Sequence, residues 1–256
     1  MAYSDEVWFW ADYLNRVNKT MNLFPTLNQT CESTIKLMYH NDALLLNAVK
    51  KQWGAKKLSN HQIFVSIFYK RNILYLQSSH ALACIGFVDP SHNLNRTVFE
   101  TLLREYLFIV DPAEADEYYN AIGKPNEFSY HSSKGMKYMR QKLYRSQMNS
   151  QMKNMYSQLC TSSHPDIKGA AVNYPRYPEN LVRDNLMTIL SLAYTNMETM
   201  AECFMDFLDS NLKESIRNGM ENIASETNTI PTLEPDKEEY AQKIKLKGDN
   251  FVTVLV

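Results

Sequence analysis

Apolar residues recur along this chain three and four positions apart, the spacing of one face of an α-helix, so the pattern predicts a helical bundle. Ser4, followed by Asp5 and Glu6, caps a first helix to about residue 19, with Trp8, Tyr13 and Val17 on its apolar side. A long second helix is expected over residues 29–53, striped by Ile35, Met38, Leu45, Leu46 and Val49 and stopped by Gly54. Ser59 opens a third, through Ile63, Ile67, Leu74 and Ala81 to Gly86, and Asp89, Pro90 and Ser91 break the chain. Residues 94–110 form a fourth. Asp111 and Pro112 end it and cap a short acidic helix over 113–122. After a loop at 123–130, a sixth helix covers about 132–160. Three prolines and a glycine make 162–178 a loop, and a last helix runs from Glu179 past Leu208 toward residue 224.

The expected architecture is therefore all-α, a bundle of six or seven helices over residues 1–224. A polar linker with Pro231 and Pro235 follows over 225–242, then a short C-terminal β-hairpin over 243–256. There Lys243, Lys245 and Lys247 alternate with apolar residues before a turn at Gly248, a pattern suited to an edge strand. No internal repeat and no second large domain is visible.

Composition sharpens this reading. Seven glycines in 256 residues fall well below the usual share of about 7%, as expected of helices with few tight turns. A formal net charge of −1 gives no global field toward nucleic acid or membrane. The four cysteines are far apart, without the paired spacing of a zinc cluster, and read as reduced thiols. The N-terminus lacks the basic and apolar regions of a signal peptide, and the most apolar stretch, 73–88, is interrupted by Gln77 and His80. A cytoplasmic protein with no membrane partner is expected. Glycine-rich phosphate loops, helical Glu/His metal motifs and the Gly-x-Ser-x-Gly elbow are all missing, so no metal or cofactor is called for.

Three constellations carry candidate chemistry. Arg96, Glu100 and Arg104 lie at i, i+4 and i+8 on one face of an otherwise apolar helix, as a partly buried polar site or an exposed salt-bridge ladder. His164 follows a helix end and precedes Pro165, so its ring can project as general base, acid or anion grip, or serve as a C-terminal cap. Tyr156 lies about two helical turns before it. Residues 128–165 hold no acid but six basic groups, Lys134, Lys137, Arg140, Lys142, Arg145 and Lys153. Five of these fall within roughly 160° of helical arc, near Tyr130, Tyr138 and Tyr144. Basic groups among aromatics suit a phosphate backbone with stacked bases. The same face also suits pairing with the acidic helix at Glu114, Asp116 and Glu117. The remaining histidines, His40, His61, His80, His92 and His131, are scattered without metal spacing.

An apolar helix with Arg-x-x-x-Glu at Arg96 and Glu100, followed much later by Tyr156-x-x-Leu159 and the helix end Ser162-x-His164-Pro165, resembles an uncharacterised prokaryotic all-helical family. That family is distantly similar to the higher-eukaryote and prokaryote nucleotide-binding (HEPN) superfamily, and the resemblance spans residues 71–209. It implies a helical bundle, a homodimer, and RNA as partner or substrate of a metal-independent ribonuclease. The superfamily's Arg-x4–6-His motif is absent, since the nearest arginine before His164 is Arg145. Arg96 or Arg104 would have to supply the cation from another helix. In the implied site His164 is the base, Arg96 stabilises the developing charge and Glu100 orients one of them. Arg104, Tyr156, Lys134, Tyr138 and Arg145 hold the substrate. The alternatives are a non-catalytic helical interaction protein and a binder of small anions.

Overall fold

A computed structural model describes residues 11, 14, 15, 17–52, 54–125, 127–144, 157, 159, 160 and 179–228. The helices are α1 (Pro25–Lys51), α2 (Asn60–Cys84), α3 (Val88–Val110), α4 (Pro112–Ala121), α5 (Glu127–Ser133), α6 (Met136–Tyr144), α7 (Glu179–Cys203) and α8 (Ser210–Asn228). A further helical stretch ending at Met21 precedes α1. Among the described residues there is no extended strand, and the expected C-terminal hairpin lies outside them.

Several boundaries differ from expectation for local reasons. Asp89 and Pro90 open α3 instead of breaking the chain. A proline in the first turn is tolerated because those amides have no intrahelical acceptor. The reversal falls earlier, at Gly86 with φ +85°. Phe87 N donates to Leu82 O at 2.8 Å and Gly86 N to Ala83 O at 3.0 Å, a Schellman closure that favours glycine at the left-handed position.

The helix expected over 132–160 is interrupted at Lys134 and Gly135, and α5 occupies part of the expected loop before it. The last helix divides as well, because the turn at 204–209 is held by side chains from the end of α1, the α1–α2 connection and the first turn of α2. Gln62 Nε2 donates to Cys203 O at 3.2 Å, Lys56 Nζ to Asp206 O at 2.7 Å and Gln52 Nε2 to Phe207 O at 3.0 Å. Asp209 Oδ1 then accepts from Leu212 N at 2.8 Å and starts α8.

The bundle is centred on α7, which packs against α1, α2 and α3, while α2 and α3 pack on each other. Tyr69, Phe99, Met38, Leu103, Leu186 and Ile189 are fully buried between these helices. Each such side chain contributes about 1.5–3 kcal/mol relative to exposure. Phe64, Phe68, Phe108 and Ala115 form a second cluster, with Tyr118 packed against it, that docks α4 across α2 and α3. No described helix is long and apolar enough to cross a membrane.

Candidate functional site

The α3 stripe lies at the edge of the bundle. Arg96 Nε donates to Glu100 Oε1 at 2.9 Å, and the two side chains are 28% and 32% exposed. One helical turn on, Arg104 has no carboxylate within ion-pair distance among the described residues. Its guanidinium lies over the Tyr118 ring, 5.4 Å from the centroid.

Tyr118 joins this stripe to a surface the sequence reading did not single out. Its ring meets Phe64 at 4.9 Å, Tyr130 at 5.6 Å and His131 at 5.7 Å. Arg71, on α2, lies over Phe68 at 5.1 Å and donates to Thr101 Oγ1 at 2.6 Å. Two guanidinium groups thus border one aromatic cluster, held in place by ring stacking. The signal for this was weak, since Arg71 and Tyr118 sit on different helices and only the packing of α4 brings them together.

Two groups of the basic run, Lys134 and Lys142, take the other course left open by its spacing. Glu114, only 3% exposed, accepts Lys134 Nζ at 3.1 Å and Lys142 Nζ at 3.2 Å, together with the Tyr138 hydroxyl. Lys134 also pairs with Glu117 at 2.9 Å and Lys142 with Asp111 at 3.2 Å. Burial alone would raise the Glu114 carboxyl, but hydrogen bonds from Tyr138, Lys134 and Lys142 outweigh it and hold it below its ordinary value. Lys134 and Tyr138 are therefore engaged in fastening α6 to α4. His164, Tyr156 and Arg145 lie outside the described residues. Leu159 is 2% exposed within the main core.

The most buried polar groups occupy positions that the periodicity assigns to the core. Asn72, Glu105 and Asn196 have no exposed surface and Asn41 has 1%. Asn72 Nδ2 donates to Glu105 Oε1 at 3.0 Å and to Asn196 Oδ1 at 2.8 Å. Asn196 Nδ2 donates to Leu192 O at 2.8 Å. Burial pushes the Glu105 carboxyl well above its ordinary range, against the weaker pull of Arg71. A second layer joins Ser79, Ser91, Asn95 and Asn185. Asn95 Nδ2 donates to Asn185 Oδ1 at 2.6 Å and Ser79 Oγ to Asn95 Oδ1 at 2.7 Å. Glu105 is thus the buried carboxyl of α3, and Glu100 a surface one. A charged residue between Leu103 and Leu107 is the sequence signal for it.

Cys84 Sγ lies 3.3 Å from both His80 Nε2 and Asn28 Oδ1. Burial pushes this thiol up to about 11, so it is no activated nucleophile. His92 is held down to about 4 by burial. Among the described residues, no three His, Cys, Asp or Glu side chains are grouped to hold a metal ion. No family model, curated protein or solved structure matches the chain.

Proposed function

We propose that this protein binds RNA on the face where α2, α3 and α4 meet, and that it is a HEPN-like, metal-independent ribonuclease with His164 as base. The observation that carries the reading is the pair of guanidinium groups, Arg71 and Arg104, on one aromatic cluster with no carboxylate in ion-pair reach among the described residues. Arginines with no carboxylate in ion-pair reach bind phosphate, and the half-buried rings of Tyr118 and Tyr130 at the rim of the cluster offer a surface for stacked bases. Arg96 and Glu100 lie two turns and one turn before Arg104 on the same helix face. In this reading Arg96 stabilises the developing charge and Glu100, ion-paired with it at 2.9 Å, orients a reacting group. Neutralisation of Lys134 and Lys142 by Glu114 leaves a small cationic footprint, so binding rests on few phosphate contacts and falls only moderately with salt. The test is anisotropy of labelled RNA against wild type, Arg71→Ala and Arg104→Ala, with cleavage in EDTA followed in parallel.

The second reading is a non-catalytic helical interaction protein. It is favoured by the outward side of α2, where Ile63, Ile67 and Leu74 are 38%, 54% and 56% exposed. An α2 that is apolar on both sides fits a helix covered by a partner. Loss of an interaction on Ile67→Glu, with RNA binding absent throughout, would select this reading.

A further inference from the structure

Tyr39 and Leu46 on α1 and Ile63, Ile67 and Leu74 on α2 are large apolar side chains left between 38% and 56% exposed. Contacts across the seam between the two helices bring them onto one surface. Tyr39 Oη donates to Gln77 Oε1 at 2.8 Å, and Lys70 Nζ lies 3.9 Å from Asp42 Oδ1. Positions thus rise along α1 as they fall along α2, an antiparallel register that sets Leu46 beside Ile63 and Ile67 one turn further on. On α2, Ile63, Ile67, Lys70, Leu74 and Gln77 follow one another three and four positions apart, so they form one stripe. Tyr39, Asp42 and Leu46 do the same on α1. The seam is therefore an exposed apolar strip with a single ion pair at its middle.

We propose that this strip is the interface of a homodimer, in which α1 of one copy lies on α2 of the other across a two-fold axis parallel to the helices. The charges select that axis. Rotation about the seam exchanges its α1 and α2 sides and keeps the level along it. Lys70 of each copy then faces Asp42 of the other, and four charges alternate in sign around the centre. A two-fold across the helices would instead set Lys70 on Lys70. The same rotation lays Leu46 over Ile63 and Ile67, and Tyr39 over Leu74, so apolar meets apolar at both ends. Within one copy the ion pair is loose, with the Lys70 and Asp42 side chains 47% and 21% exposed, which leaves both charges open to a second partner.

The area is sufficient. α1 has 27 residues and α2 has 25, so the pair offers a face about 37 Å long and about 20 Å wide. A stable interface takes roughly 800 Å² from each partner. Arg71 is turned off the strip to Thr101 on α3, so the dimer does not rest on the RNA reading.

The test is sedimentation velocity of the full chain, without nucleic acid, from about 1 to 100 μM. Wild type should sediment as a dimer at about 10 μM. Ile67→Glu and Leu74→Lys change outward side chains, and each, shown to be folded by circular dichroism, should weaken association about 30-fold or more. Lys70→Glu and Asp42→Lys should each sediment as monomers, because each puts like charges on both sides of the interface. Mixed in equal amounts, the two folded variants should recover a heterodimer, which loss of the internal pair alone would not produce. A wild type still monomeric at about 100 μM, or a dimer undisturbed by Ile67→Glu and Leu74→Lys, overturns the proposal. So does a mixture of the folded charge variants that associates no better than either alone.

Discussion

Asn72 and Glu105 meet at the centre of the bundle, the amide of one donating to a carboxyl oxygen of the other at 3.0 Å with neither side chain exposed. Removing the carboxyl strands the Asn72 donor and leaves a cavity. Glu105→Ala should therefore lose about 3 kcal/mol of stability in urea unfolding. Glu105→Gln preserves shape and acceptor and should stay within about 1 kcal/mol.

The same residue sets a pH dependence with a definite sign. Its folded carboxyl sits well above 4.5, so the native state binds the extra proton. Stability should fall as pH rises from about 4.5 toward the raised value. Glu105→Gln should flatten that slope, and an identical slope in the variant would contradict the assignment.

Glu114 works in the opposite direction. Its carboxyl is held below 4.5 by Tyr138, Lys134 and Lys142, so its stabilising contribution is present above that pH. It is lost as pH falls through the lowered value. Glu114→Gln should cost about 2 kcal/mol at neutral pH and remove part of the acid-unfolding limb, read by circular dichroism.

The helical class and most helix positions were legible in the sequence, because stripes such as Ile35, Met38 and Val49 do face the core. Pro90 misled, since a proline that breaks a helix interior also fits its first turn. The split of the last helix was not legible. It depends on Gln52, Lys56 and Gln62 reaching across the fold to carbonyls over 140 positions away. At the site, the spacing of Arg96, Glu100 and Arg104 showed a shared face but not its exposure. Both courses for the basic run were visible, and the three-dimensional position of Glu114 decides between them for Lys134 and Lys142.

Gly86 offers a check on the α2–α3 reversal. At φ +85° an alanine is strained, so Gly86→Ala should lower stability by about 1 kcal/mol. Gly86→Asn should lose less. No loss in either variant would mean that the reversal adopts another conformation.

Arg71 and Arg104 carry the RNA-binding claim. Each alanine variant should weaken binding across sequences and reduce the slope of affinity against salt by about one phosphate contact. Lys134→Ala should act mainly on stability, because its charge is already shared by Glu114 and Glu117. Equal effects of all three on RNA would contradict the division between binding face and structural clamp.

The most direct measurement is RNA binding and cleavage in EDTA by wild type, Arg104→Ala and His164→Ala, each first shown to be folded. Cleavage by wild type, lost in His164→Ala with binding kept and weakened in Arg104→Ala through binding, is the predicted result. Neither binding nor cleavage by wild type across varied RNAs would contradict the account and leave the α2 face as the functional surface.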